Sequence, residues 1–443
     1  MSMLGTRGWS AARAPAPAVA LVAAAGAAYA VYVQQFSVNV PFQDEWAMVI
    51  LYRLTVQGRL TLSDLWFQHN ENRMLFPNLL MLGLDHLSHF NTVVETYVSA
   101  GLLILAVGGL GVLYWRCVGG SPLWFVPAAF ILFSWLQYAV ALQGFAIALY
   151  LVLLCLVVAL FALTAAERSP WWLALGVAAA TVASYSSAQG LAVWAAGIVF
   201  LLARARPRRQ LWAWVASACA ISAIYWIGFV WSYTGGGVRW ALAHPALSLH
   251  YFYLLAGGTF PTSQRLHIGL GAQTILGAAI LFMGLAAFGY WLWRRSSGEW
   301  LALPLSIIAF GVLIDFLITI GRVDLGLGLA TSSRYTLFNL WLLAGVWLAW
   351  AAIASRSQLP PARVVAAALA LLCLIQVVGS YHSGLVEGQL TRSQREQAVA
   401  LVRHYRSAPP SQVIPLVYQL YPGFKPLSAF LATHHLSVFY SRR

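Results

Sequence analysis

Long apolar runs recur along this chain from end to end, separated by short polar connections. A membrane-spanning helix needs ~20 mostly apolar residues. Runs of about that size can be marked at 15–35, 92–115, 122–139, 141–164, 170–186, 188–203, 210–232, 267–293, 299–319, 334–354 and 362–380. The pattern predicts eleven spans, of which the pair at 170–203 is short for two full crossings. The stretch MLFPNLLMLGLDHLSHF at 74–90 is also apolar, but counting it as a span would invert everything after it. It is read instead as a helix lying on the outer surface. The predicted fold is an all-α polytopic membrane protein with about 11 transmembrane helices and interfacial helical structure in the first outer loop.

Arginine placement sets the expected orientation. With the N-terminus inside, the cytoplasmic connections hold Arg116, Arg168, the cluster Arg204, Arg206, Arg208 and Arg209, then Arg294 with Arg295, and Arg356 with Arg363. The short outside connections near 138–142 and 185–189 carry no Lys or Arg. That is the positive-inside asymmetry. The N-terminus is expected in the cytoplasm, with Pro15 to about Val33 an uncleaved first helix and the C-terminus outside. Residues 1–380 form the expected transmembrane domain, with the first outer loop at 36–91. Residues 381–443 form a small extracytoplasmic segment with a helical stretch around 387–406.

Composition agrees with this pattern. Hydrophobic residues make up 61% of the chain and charged ones only 9%, too apolar a balance for a soluble protein. The formal net charge of +14 sits mostly at span ends, where it sets topology and meets anionic lipid. No basic stripe interleaved with aromatics suggests nucleic acid. Cys117, Cys155, Cys219 and Cys373 show no metal-ligand spacing and read as packing residues.

The acids change the picture. Six of the twelve lie between Asp44 and Glu95, in an outer loop of an otherwise acid-poor protein. Polar groups at a membrane site are usually functional. Asp44 and Glu45, in PFQDEWAMV, are the candidate catalytic pair. Adjacent residues on a helix point ~100° apart, so one is expected to be the base and the other a partner or structural acceptor. Desolvation beside the membrane is expected to raise the base's pKa. His69, Glu71 and Arg73, in QHNENR, are candidate substrate-binding groups; Glu71 and Arg73 could equally form a structural ion pair. Arg239, Arg265, Arg322 and Arg334 form an outer-side set suited to a lipid phosphate, because guanidinium matches phosphate oxygens bidentately. Asp315, inside the span FGVLIDFLITI, is expected to pair with Arg322 or Arg334. Gln137, Gln143, Ser186, Ser187 and Gln189 lie at outer span ends and could line a cavity roof or sit in interfacial water.

The order of these features resembles the GT-C superfamily of polyprenyl-phosphate-sugar-dependent glycosyltransferases. The residues that carry the likeness are QDEW at 43–46, NENR at 70–73, SSAQGL at 186–191 and the GR…SRY loop at 321–335. It spans about residues 30–350 and leaves out the tail. Asn72 stands where His is usual and Gln189 where Asn is usual, so no role transfers there. The resemblance implies a GT-C-like fold, a catalytic carboxylate at Asp44 or Glu45, and a bacterial inner-membrane location.

The expected function is transfer of a sugar from a polyprenyl-phosphate-linked donor to a glycan, lipid or protein acceptor at the extracytoplasmic face. Asp44 or Glu45 would act as base; Arg265, Arg322 and Arg334 would hold the departing phosphate; His69, Glu71 and Arg73 would shape the pocket. Membrane lipids are the further expected partner, and nucleic acid is not. No cofactor is implied, and a divalent cation beside the carboxylates stays open. The alternative, a transporter or flippase for a lipid-linked or polar solute, would call for broken helices in matching halves and charges at mid-depth.

Overall fold

Hydropathy alone places the helices well, and their ends follow local chemistry. The computed structural model describes residues 16–230, 237–262, 269–294, 298–357, 360–417 and 423–440. Eight helices among these are long and apolar enough to cross a membrane: Ala16–Phe36, Thr92–Val118, Pro122–Ala141, Gly144–Ala165, Leu270–Trp293, Glu299–Leu325, Ser333–Arg356 and Pro360–Arg403. Pro170–Ser184 and Ala188–Ala203 are apolar but shorter. Arg208–Trp226 is helical and covers most of the remaining predicted run, 210–232. The chain is an all-α, multi-pass membrane protein. Helix starts are marked by Asn91, whose side chain accepts from Val93 N–H, and by Ser169 followed by Pro170, whose missing N–H costs nothing in a first turn.

The arginine-bearing connections gather at one end of the bundle. Arg206 reaches both Glu167 and, at 3.0 Å, the Thr164 carbonyl. Arg356 donates to the Val118 carbonyl and lies over the Trp300 ring. The first loop and the C-terminal segment gather at the opposite end.

Two regions differ from the sequence expectation. The region between the runs 210–232 and 267–293, where no span is predicted, contains the helices Gly237–Ala243 and Pro245–Gly257. The second buries Tyr251, Leu254, Leu255 and Ala256, yet its 13 residues are too few to cross a bilayer. The C-terminal helix does not stop near 380 but runs unbroken from Pro360 to Arg403, 44 residues. At ~1.5 Å per residue that is about 66 Å, far longer than the hydrocarbon layer, so its C-terminal part stands clear of the membrane. Gly384 and Gly388 let it lie close against Trp135, Tyr32 and Phe36, and Tyr32 donates to the Gly384 carbonyl at 2.9 Å.

Apolar side chains form two clusters. One fills the helix bundle. The second joins the first outer loop, through Trp46, Val49, Met81 and Phe90, to the C-terminal segment, through Val402, Leu416, Phe424 and Leu431. The tail is therefore packed into the loop rather than appended to it. Leu75–Ser88 is a 14-residue helix, too short to span, that turns Asn78, Met81, Leu82 and Asp85 inward and leaves Leu79 and Leu87 exposed.

Candidate active site

The turn before Glu45–Val56 decides where the two adjacent acids go. Gln43 has φ 53°, in the left-handed region, and Asp44 follows as the helix N-cap without capping it. Its carboxylate turns instead into a cavity of about 800 Å³. The polar wall of that cavity includes Gln43, Asp44, His69, Asn70 and Arg334, and the apolar wall Met48, Leu51, Leu54, Phe67 and Phe145. His69 Nε2 stands 3.6 Å from Asp44 Oδ1, an ion-pair distance rather than a hydrogen bond. The two side chains remain 26% and 42% exposed.

Glu45 faces the other way. It is 1% exposed, and its carboxylate accepts from Phe42 N–H at 2.8 Å, from Gly144 N–H at 2.6 Å, and from Phe145 N–H. It ties the first loop to the turn that opens the helix Ile147–Ala165. Gly144 is required there: a Cβ would fall 2.0 Å from Glu95 Oε2.

These surroundings split the two carboxyls. Burial pushes Asp44 up, but the His69 side chain and the Arg334 charge pull it further down, so it lies below the ordinary aspartate range. The expectation of a desolvated, raised base is thus corrected at Asp44, because the His69 side chain and the Arg334 guanidinium act on it. At Glu45 burial wins over the Arg395 charge and the backbone N–H groups, and its pKa is raised.

The QHNENR cluster is sorted by a small hairpin. Gln68–His69 pairs antiparallel with Asn72–Arg73, in the register Gln68 to Arg73 and His69 to Asn72, and Asn70 takes φ 51° at the turn. Of His69, Glu71 and Arg73, His69 alone joins Asp44 on the cavity wall, flanked there by Gln68 and Asn70. Asn72 Oδ1 accepts from Ser187 Oγ at 3.0 Å and Ala188 N–H at 2.9 Å, joining the hairpin to the 186–191 segment. Arg73 is 4% exposed and donates to the Trp66, Tyr225 and Ile227 carbonyls. Glu71 and Arg73 do not pair; Glu71 takes Arg322 in a two-pronged contact at 2.8 and 2.5 Å. Hence Asp315 lacks the partner expected of it. It is fully buried, and neither carboxylate oxygen has a hydrogen-bond partner among the described residues.

Of the outer arginines, Arg334 alone among the described residues lines the cavity, from the first turn of Ser333–Arg356. The Gly-rich loop before it folds into the 3₁₀ turns Val323–Leu325 and Leu327–Thr331. Arg239 is exposed on Gly237–Ala243, away from the cavity wall. Arg265 lies outside the described residues. Gln137 is buried and donates to the Leu132 and Ser134 carbonyls instead of lining a roof. Phe145, Asn78 and Val417 line the cavity without having been singled out; only the neighbouring polar Gln143 hinted at that turn.

Among the described residues no group of three or more His, Cys, Asp or Glu converges as a metal site.

No protein-family model matches the chain, and no curated protein matches it. Among solved structures it is similar to the archaeal oligosaccharyltransferase AglB from Archaeoglobus fulgidus, in complex with an inhibitory peptide and a dolichol-phosphate. The TM-score is 0.46 and the identity 14%, over 91% of this chain and 60% of that one. The chain therefore spans less than two thirds of that protein. A likeness at this level decides nothing about chemistry.

Proposed function

We propose that this chain is a membrane glycosyltransferase that moves a sugar from a polyprenyl-phosphate donor to an acceptor hydroxyl on the extracytoplasmic face. The supporting observation is that an ionised carboxylate, Asp44, and a guanidinium, Arg334, line one cavity that also has an apolar wall of Met48, Leu51, Leu54, Phe67 and Phe145. Such a wall suits a lipid chain, and the arginine suits its phosphate.

In this reading the acceptor oxygen attacks the anomeric carbon as its proton passes to Asp44. The bond from that carbon to the phosphate oxygen breaks, and the phosphate leaves with the electron pair. Arg334 lies where it can offset the charge that develops. His69 holds the Asp44 carboxylate in the ionised form. Arg322 is engaged by Glu71, so its expected phosphate contact would require that pair to open. Arg73 serves the hairpin's shape rather than the substrate.

The arginine-rich end of the bundle is assigned to the cytoplasm and the cavity end to the outside, in a bacterial inner membrane. Mass spectrometry of glycolipids and surface glycans in wild-type, deletion and Asp44→Asn cells tests the reading at matched membrane expression. One sugar-sized mass should disappear in both altered strains, with its lipid-linked donor accumulating. A glycan kept intact by Asp44→Asn but lost on deletion would rule out Asp44 as base.

A further inference from the structure

The C-terminal segment lies far from Asp44 in sequence, yet the turn that carries Asp44 is built against it. Gln43 N–H donates to the Leu416 carbonyl at 2.8 Å, which holds a glutamine in a left-handed conformation it seldom adopts. Val417, next in the chain, forms part of the cavity wall. Phe424 packs edge-on against Trp46, on the helix that Asp44 opens.

Arg395 extends this contact with charge. It lies on the long C-terminal helix, 2% exposed, with its guanidinium 5.1 Å from the centre of the Phe42 ring. Its Nε and Nη1 have no hydrogen-bond partner among the described residues. Its charge faces Glu45. Glu45 is also faced by Asp85, from Leu75–Ser88, and by Glu95, from the span that follows. The Asp85 and Glu95 carboxyls are both buried beside one another, and neither Asp85 oxygen has a hydrogen-bond partner among the described residues. Arg395 supplies the positive charge in this buried group. A guanidinium with two unpartnered nitrogens is a poor way to fill space, since an apolar side chain would avoid the desolvation cost. Its use is better explained by what it does to Glu45. An ionised carboxylate can accept from Phe42, Gly144 and Phe145 together; a protonated one gives up part of that capacity.

We propose that Arg395 is a positioning residue for Asp44: it keeps Glu45 ionised, and Glu45 with the Leu416 carbonyl clamps the turn that aims Asp44 into the cavity. The inference rests on the reading of Asp44 as the base.

The test uses the full-length chain carrying Arg395→Met, Arg395→Lys or Glu45→Gln. Hydrogen–deuterium exchange of residues 41–48 is measured in detergent, and glycan transfer in cells at matched expression. Arg395→Met should speed exchange in 41–48 by about tenfold and lower transfer by about tenfold or more, as loss of a local clamp implies. Arg395→Lys, which keeps the charge, should recover most of both. Wild-type exchange in Arg395→Met, or a Lys variant as defective as the Met variant, would overturn the proposal and leave Arg395 a packing residue. If Arg395→Met does not accumulate, Glu45→Gln must show the same faster exchange, and wild-type exchange there would overturn it too. An Asp44→Asn control separates the two claims. Normal transfer in that control, with faster exchange in Arg395→Met, would remove Asp44 as base while the clamp stands.

Discussion

Arg322 grips Glu71 through both terminal nitrogens, at 2.8 and 2.5 Å, and neither side chain is more than a quarter exposed. The pair joins the end of the helix Ala302–Arg322 to the hairpin that carries His69. Charge-assisted contacts of this kind are worth about 1.5–3 kcal/mol. Glu71→Gln and Arg322→Gln should each lower stability by about that amount, and the swap Glu71→Arg with Arg322→Glu should recover part of it. Thermal unfolding of the solubilised protein measures this. Unchanged melting in both single variants would mean the pair contributes nothing to the hairpin.

Arg73 has three backbone carbonyls as partners and no place on the cavity wall. Arg73→Lys keeps one charge but loses the planar fork. It should destabilise the protein by about 1–3 kcal/mol while leaving KM for the donor unchanged. A raised KM with unchanged stability would return Arg73 to the substrate.

The acid limb of the reaction reports on Asp44. Its pKa in the folded chain lies below the ordinary aspartate value despite burial, because His69 and Arg334 favour the charged form. The stabilisation this provides is present above the unfolded value and is lost as pH falls through the folded one. Activity should likewise persist to a pH below the ordinary aspartate range. His69→Ala removes one cause of the lowering, so the acid limb of kcat/KM against pH should move upward. An unmoved limb would separate His69 from the base.

Gly144 permits the closest approach in the acidic group. A methyl there would meet Glu95 Oε2 at 2.0 Å and Glu95 Cβ at 2.9 Å, beside the N–H that Glu45 uses. Gly144→Ala should cost about 1–3 kcal/mol through overpacking alone. Denaturant unfolding checks the figure, and a neutral result would show that Glu95 can swing away.

The spans were legible because hydrophobic length is a property of local sequence: each of the eleven predicted runs lies for most of its length on a described helix, and eight helices are long enough to cross a membrane. Much less of the site was. Proximity in the chain suggested that His69, Glu71 and Arg73 work together, but a hairpin points neighbours to different sides and sends each to a different element. Asp85 and Glu95 read as ordinary loop and span-end charges because nothing local marks a buried carboxyl pair. The tail's role depended on contacts such as Gln43 with Leu416, which no local pattern encodes. Asp44, His69 and Arg334 were each named from sequence, and the structure brings those three to one cavity.

The central claim is that Asp44 takes the acceptor's proton as a polyprenyl-phosphate sugar is discharged. The most direct measurement reconstitutes the purified chain in lipid vesicles with the lipid-linked sugar fraction that accumulates in deletion cells, together with a membrane extract as acceptor source. Release of free polyprenyl phosphate is then followed for wild type and Asp44→Asn. Wild type should release it as the sugar mass moves to an acceptor, and Asp44→Asn should be slower by about 10²–10⁴-fold, the usual contribution of a general base. Equal release by both would contradict the assignment of Asp44, and no release by either would contradict the transferase reading itself.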